Sequence, residues 1–159
     1  MAGGTNTGWE NVIETQVKAI LEKKGNRVVA VDAKASVYEA IGKMVENKVG
    51  AVFVMERDEV VGIFTERDLL RLGGKPGFAP QDTPIDRVMT REVVFVRPTH
   101  TTGDCLALMT ERKCRHLPVM DGSKVAGMIS IGDCVKQVAE DAHVVVRVLT
   151  EFIANKYPG

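Results

Sequence analysis

Two stretches of this chain hold the residue types that recognition chemistry needs. Gly62-Ile-Phe-Thr65-Glu-Arg-Asp68 and Gly127-Met-Ile-Ser130-Ile-Gly-Asp133 share one pattern: Gly, two apolar residues, a hydroxyl, two variable residues, Asp. A hydroxyl three residues ahead of a carboxylate is first of all a capping box. The hydroxyl takes an N–H of the first helical turn, and the carboxylate reaches back to the cap residue's own N–H. Related boxes stand at Ser36-Val-Tyr-Glu39 and Thr101-Thr-Gly-Asp104, so the device also has a purely structural use here. Only the two quoted stretches add a Gly three residues ahead of the hydroxyl, and a Gly late in a strand often marks the close approach of another group. A helix N-terminus with a free hydroxyl and free N–H groups suits an anion such as phosphate. A carboxylate has two acceptor oxygens and can take both hydroxyls of a ribose cis-diol. Hydroxyl for phosphate and carboxylate for ribose together describe a nucleotide site; helix capping alone is the competing account.

The elements that position these residues come twice. Slid on itself by 65 residues (Asp68 onto Asp133), the chain aligns without a gap from Val31 to Asp68. Val31 meets Val96, Met44 meets Met109, Glu46 meets Glu111 and Lys48 meets Lys113. Val54-Met55 meets Val119-Met120, Val60 meets Val125 and Gly62 meets Gly127. A gapless register over matched polarity is the mark of an internal repeat. Each copy opens with a β-branched run, Arg27–Val31 or Val93–Val96, read as a strand. A helix follows, with Val37, Ala40, Ile41, Met44 and Val45 on one stripe. Two strands come next, Gly50–Met55 and Val60–Phe64, separated only by Glu56-Arg-Asp-Glu59, a hairpin-length loop. The second copy turns through Asp121-Gly122-Ser-Lys. A second helix then begins near the quoted motif. The order is β-α-β-β-α, twice, an α+β fold in which two small layered units bury together what neither could bury alone.

The Gly- and Pro-dense stretch Leu72–Pro84 reads as the connection between copies. The expected organisation is an N-terminal helix in 1–26, a first repeat in 27–73, a linker in 74–85, a second repeat in 86–140 and a helical extension in 141–159. Along that last helix Val135, Val138, Ala142, Val145, Leu149 and Phe152 form a seam at spacings of 3 and 4. It either packs on its own domain or forms a self-association surface, to which Ile13, Val17, Ile20 and Leu21 could add a second helix.

Composition narrows the function. The 159 residues carry 21 Lys+Arg against 21 Asp+Glu, a formal net charge of zero, so no bulk attraction to nucleic acid or an anionic membrane is expected. Aromatic residues are 5% of the chain, too few for a base-stacking surface. No apolar run approaches the ~18 residues of a membrane span, and the N-terminus has no signal-peptide pattern, so the expected location is cytoplasmic. Three cysteines, Cys105, Cys114 and Cys134, without a secretory signal argue against a disulfide framework. Cys114 and His116 are close in sequence, but no second ligand pair has metal spacing. No G-x-S-x-G, H-E-x-x-H or phosphate-loop signature is present. A catalyst and a metal site are both unexpected; a thiol enzyme using Cys114 is a distant alternative.

With these residues in view, the chain resembles a tandem pair of CBS (cystathionine β-synthase-type) domains, a Bateman module. The likeness runs from about Val12 to Val138. It rests on the β-α-β-β-α repeat, the two Gly-x-x-Thr/Ser-x-x-Asp motifs, Val88-Met-Thr90 opening the second copy, and Arg115-His-Leu-Pro-Val119. The resemblance implies two repeats packed pseudo-symmetrically, with flanking N- and C-terminal helices, in a stand-alone signalling protein of bacterial type. It implies a regulatory ligand in the cleft between repeats: AMP, ADP, ATP, NAD(H) or S-adenosylmethionine, with Mg2+ entering only alongside ATP. Carried over by position, Asp68 and Asp133 hold ribose, and Thr65 and Ser130 hold phosphate. Arg67, Ile131, Gly132, Arg115 and His116 stand on the phosphate side, and Val49, Gly50, Ala51, Met89 and Thr90 form the adenine wall. Arg115 and His116 align with Gly50 and Ala51; they are either a surface Arg beside a packed His or a cationic clamp that makes the two sites unequal. The expected partners are the nucleotide, a second copy in a homodimer, and a separate downstream protein. The competing expectation is a ligand-free dimeric scaffold with degenerate pockets.

Overall fold

In the computed structural model of the chain, residues 12–25 and 27–156 are described. The elements in chain order are α1 (Val17–Lys24), β1 (Ala30–Asp32), α2 (Val37–Asn47), β2 (Ala51–Glu56), β3 (Glu59–Thr65), α3 (Glu66–Gly73), α4 (Thr102–Arg112), β4 (His116–Asp121), β5 (Lys124–Ser130) and α5 (Ile131–Lys156). Two short 3-10 turns, Pro80–Asp82 and Ile85–Arg87, lie between α3 and α4. The fold is α+β, with five α-helices and two small sheets among the described residues.

The 65-residue offset survives in three dimensions residue by residue. The starts and ends of α2 and α4, β2 and β4, and β3 and β5 all differ by 65 (37 and 102, 51 and 116, 59 and 124). Even the helix C-caps correspond. Lys48 and Lys113 both adopt the left-handed conformation, with φ of 55° and 53°. Each is followed by a residue whose N–H returns to the helix, Val49 to the Met44 carbonyl and Cys114 to the Met109 carbonyl, both at 3.0 Å. The hairpin between β2 and β3 turns through Arg57 and Asp58, both at positive φ (49° and 64°), the backbone hand that a two-residue hairpin favours.

One sheet has the order β1-β2-β3. β1 pairs parallel to β2, with Val31 opposite Val54, and β3 pairs antiparallel. As the central strand, β2 is buried from Ala51 through Val54, the near-continuous apolar run of a strand covered on both faces. The other sheet holds only β4 and β5. The opening strand expected at Val93–Val96 is reduced to a single bridge, Val96 opposite Val119, with Val96 N–H donating to the Pro118 carbonyl at 2.9 Å. The cause is in the partner strand. In the first copy Phe53 N–H donates to the Val29 carbonyl at 3.0 Å. The residue 65 further on is Pro118, which has no N–H to give.

The chain forms two compact units. One gathers the segment ending at Gly25, Val96–Val119 and the segment from Met128 on; the other gathers the stretch between Gly25 and Val96, with Met120–Gly127. In the second unit, Val31, Val37, Ala40, Met44, Val52, Val54, Phe64, Leu72, Ile85 and Met89 form one core. The expected α2 stripe is narrower than its sequence pattern. Ile41 is half-buried, while Val45 is 73% exposed; eight residues on from Val37 a helix has turned about 80° away. In the first unit Val17, Ile20, Leu21, Val96, Cys105, Met109, Leu117, Val119, Ile129 and Cys134 are buried.

The segments leading into the two repeats are exchanged. Residues ahead of the first repeat dock on the second: Thr102 N–H donates to the Thr15 carbonyl at 2.8 Å, and Gln16 bridges Thr101. Residues ahead of the second repeat dock on the first: Val37 N–H donates to the Thr83 carbonyl at 2.9 Å, and Pro84 bridges Ser36. The staple on the first unit is polar. Thr15 Oγ1 donates to Asp141 at 2.7 Å, and the buried Gln137 bonds Asp141 at 3.0 Å while accepting from Lys23 at 3.4 Å.

Gly62 explains part of this exchange. A Cβ built there would stand 2.5 Å from Met89 Sδ and 2.8 Å from the Thr90 carbonyl oxygen. The close approach expected at this glycine is therefore made by the chain's own second leader, through the Ile63–Thr90 bridge. Met89 can flex, but the Thr90 carbonyl is backbone, so Gly62→Ala forces the bridge apart. The expected cost is about 1–3 kcal/mol, read as a fall of several degrees in the thermal midpoint. An unchanged midpoint would show that the leader is not held against β3.

Candidate functional site

Each quoted motif ends a strand and starts a helix, because its hydroxyl residue is extended and its Asp is the third helical residue. Thr65 caps α3 with φ −121° and ψ 166°. Its Oγ1 accepts from Asp68 N–H at 3.3 Å, and its own N–H donates to Asp68 Oδ2 at 2.9 Å. In the second copy Ser130 Oγ accepts from Asp133 N–H at 3.1 Å, and Ser130 N–H donates to Asp133 Oδ2 at 2.9 Å. The reciprocal box also closes at Thr101 and Asp104. At Ser36 the side chain accepts from Glu39 N–H.

The chain already satisfies much of each helix N-terminus. Glu66 N–H donates to the Gly50 carbonyl at 3.0 Å, and Ile131 N–H donates to the Arg115 carbonyl at 2.9 Å. Gly50 and Arg115 are the aligned positions of the two repeats, so this contact is also duplicated. The first and third helical N–H groups are thus engaged in both copies. This corrects the picture of a free N-terminus waiting for an anion: a carbonyl, a hydroxyl and a carboxylate of the chain already engage these groups.

The two carboxylates differ in what covers them. Asp68 is 9% exposed. Its Oδ2 also accepts from the Thr65 hydroxyl at 3.1 Å, and the Thr90 hydroxyl lies 3.2 Å from Oδ1 and 3.4 Å from Oδ2. Both of these side-chain partners are neutral hydroxyls. Asp133 instead meets a cation: Lys24 Nζ, at the end of α1, donates to Asp133 Oδ2 at 2.5 Å and to the Met128 carbonyl at 2.8 Å. Burial acts to raise the Asp133 pKa, but the Lys24 and Ser130 hydrogen bonds and the Lys24 charge outweigh it and hold the carboxyl below the ordinary aspartate value. In each case the covering group comes from the leader of the other repeat.

Thr65, Asp68 and Thr90 therefore come together, as do Ser130, Asp133 and the Arg115 carbonyl. Thr90, expected on the adenine wall, touches the ribose candidate itself. Met89 is buried against Gly62, Ala51 is buried, and Val49 packs against the core from a half-buried position. Arg67, Ile131, Gly132 and Arg115 are exposed, and His116 is half-buried. Lys24 was missed by sequence reasoning. Its contact spans 109 residues, and a lysine ending an amphipathic helix reads as an ordinary dipole partner.

The remaining candidates for chemistry lie elsewhere. Cys105, Cys114 and Cys134 are free thiols. Cys105 and Cys134 are fully buried; their mutual hydrogen bond, followed by burial, pushes the Cys105 pKa up. Among the described residues no group of three or more His, Cys, Asp or Glu is placed to hold a metal ion, and no helix is long and apolar enough to cross a membrane.

Comparison with known proteins adds the family. The CBS domain model matches twice, over residues 17–75 and 85–140. A mitochondrial CBS domain-containing protein of Arabidopsis thaliana, CBSX3, is 33% identical over 127 residues, which cover 77% of this chain and 62% of that protein. This chain thus spans about three fifths of that relative's length. Two solved structures share the fold at 41% identity and a TM-score of 0.74. One is a CBS-domain protein of Burkholderia ambifaria assigned to signal transduction, covering 80% of this chain and 96% of that one. The other is a CBS-domain-containing protein of Agrobacterium tumefaciens, covering 77% and 98%. Proteins built on such pairs are regulatory or signalling modules. With both motifs on equivalent strand-to-helix junctions and both copies matched, the chain belongs to the CBS-domain family as a tandem pair.

Proposed function

We propose that this chain is a regulatory module that binds adenine nucleotides (AMP, ADP, ATP or NAD(H)) at its two Gly-x-x-Thr/Ser-x-x-Asp motifs and signals by changing the arrangement of the pair and of a homodimer. One observation carries the reading. Two carboxylates, 65 residues apart, sit third in a helix behind a capping hydroxyl, and each is covered by a donor from an exchanged leader. A ribose diol offers hydroxyl donors to the same carboxylates and would take over from the leader. Binding at Asp68 or Asp133 would then be coupled to the hold on a segment belonging to the opposite repeat. The ligand shifts the equilibrium only by its differential affinity for the two states. The role is regulatory rather than catalytic, read out through self-association or by a downstream protein.

The helix α5 supports the homodimer. Every described side chain from His143 to Ala154 is exposed. Val144, Val148, Leu149 and Ile153 are each about half exposed or more (49%, 54%, 54% and 58%). On the expected seam, Val135 and Leu149 are exposed and Val138 and Ala142 half-buried; the Val145 and Phe152 side chains lie outside the described residues. On the outer part of the seam Leu149 is thus left largely uncovered by its own chain.

The competing reading, a scaffold whose Asp68 and Asp133 are only helix caps, draws on the same satisfied boxes. Thermal unfolding separates the two. At ~100 times its dissociation constant a ligand adds ~2.7 kcal/mol per site, so AMP, ADP, ATP, NAD+, NADH or S-adenosylmethionine should raise the midpoint by several degrees. Asp68→Ala and Asp133→Ala should each remove the response of their own site while costing about 0.5–2 kcal/mol of stability, a cap's worth. No response to any of the six, in protein free of co-purified nucleotide, would leave the scaffold.

Self-association has its own check. Val148→Glu with Leu149→Glu should lower the mass measured by light scattering to that of one chain without moving helix content. A wild type that is already a single chain at tens of micromolar would refute the homodimer.

A further inference from the structure

We infer that Lys24 sets the ligand specificity of the second motif, making it select adenosine ligands that carry phosphate over those that do not. This rests on the nucleotide reading above and adds to it a residue outside both motifs. The two carboxylates present unlike surfaces to a ligand. At Asp68 the covering group is the Thr90 hydroxyl. A ribose hydroxyl replaces it like for like, one neutral donor for another. At Asp133 the covering group is the Lys24 ammonium, which shares Oδ2 with Ser130 N–H. The Asp133 side chain is only 22% exposed and that of Lys24 39%. A ribose diol that takes this carboxylate must move the ammonium off it. A neutral nucleoside gives hydrogen bonds back to Asp133 but leaves the ammonium without its anion. A nucleotide brings a new anion with it.

The geometry places that exchange within one residue. Lys24 Nζ and Ser130 N–H converge on the same carboxylate oxygen, so the ammonium already stands beside the residue assigned to phosphate. Its flexible four-carbon stem allows the charge to be handed from carboxylate to phosphate without moving α1. The Met128 carbonyl, 2.8 Å from Nζ, can keep one of the three N–H donors through the change. At Asp68 the Thr65 and Thr90 side chains that bond the carboxylate are hydroxyls. The covering groups should therefore differ in kind: Thr90 yields to the nucleoside alone, Lys24 to the nucleoside and its charge together.

Isothermal titration with adenosine, AMP and ADP at fixed ionic strength tests this. The second site is isolated by working in the Asp68→Ala chain, with Lys24 unchanged, Lys24→Met, Lys24→Gln or Lys24→Arg. With Lys24 present, AMP is expected to bind about ten-fold or more tighter than adenosine, the range of a charge-assisted hydrogen bond. Lys24→Met and Lys24→Gln should weaken AMP and tighten adenosine, so that the ratio collapses, and Lys24→Arg should preserve it. Thermal midpoints check that the variants are folded, as the exposure of Lys24 leads one to expect. An unchanged AMP-to-adenosine ratio in folded Lys24→Met and Lys24→Gln would overturn the assignment and leave the nucleotide reading standing. Binding that vanishes entirely in Asp68→Ala while the wild type binds would confine the ligand to the first motif and overturn it as well. A wild type that binds none of the three would overturn the nucleotide reading itself.

Discussion

A helix that starts directly off a strand exposes N–H groups that must find acceptors, and the organisation of both motifs depends on how this chain supplies them. A hydroxyl takes the third helical N–H, a carboxylate takes the cap residue's N–H, and a carbonyl from the start of the preceding hairpin, Gly50 or Arg115, takes the first. The carboxylate cannot serve as a cap without being fixed in space. Its second oxygen, and the remaining lone pairs of the first, then face outward in a set direction. On the nucleotide reading the cap and the recognition group are one object, so the capping account and the nucleotide account do not exclude each other. What decides between them is the group that covers the outward side.

That group comes from an exchanged leader in both copies. The residues before each repeat bond the other repeat's first helix and reach its motif carboxylate. Gly62 has no side chain because the second leader lies where a Cβ would be. A ligand that takes either carboxylate thus competes with a segment covalently tied to the opposite repeat. This gives a local hydrogen-bond exchange a route to a larger response, with no new contact required beyond those the ligand replaces.

The parts of this that were legible in the sequence are those set by local periodicity. The 65-residue register held to the residue for two helices, four strands and two left-handed caps, because duplicated side-chain patterns impose duplicated boundaries. The capping boxes were legible because four residues contain the whole interaction. Three features were not. The lost opening strand of the second copy depends on Pro118, whose missing N–H matters only once its partner is known. The Val45 exposure follows from how wide the face covering α2 is, which no helical stripe states. The Lys24–Asp133 pair joins positions 109 residues apart, and no local pattern singles out Lys24 from its neighbour Lys23. Gly62 lies between these cases: the need for a close approach could be read, but not that the approaching group was Met89-Thr90.

Two copies of one motif need not be two copies of one site. Duplication repeats what the repeat contains, but the leaders lie outside the gapless register, and one supplies a threonine where the other supplies a lysine. A hydroxyl and an ammonium can fill one acceptor equally well while no ligand is present. They respond differently to what displaces them, since a hydroxyl leaves behind a hydrogen bond to be replaced, and an ammonium leaves a charge as well. In a partly buried setting the second demand is the larger. On the nucleotide reading the covering groups add an asymmetry of their own to that of the motifs, and a change at residue 24 or 90 would alter ligand choice while leaving every motif residue intact.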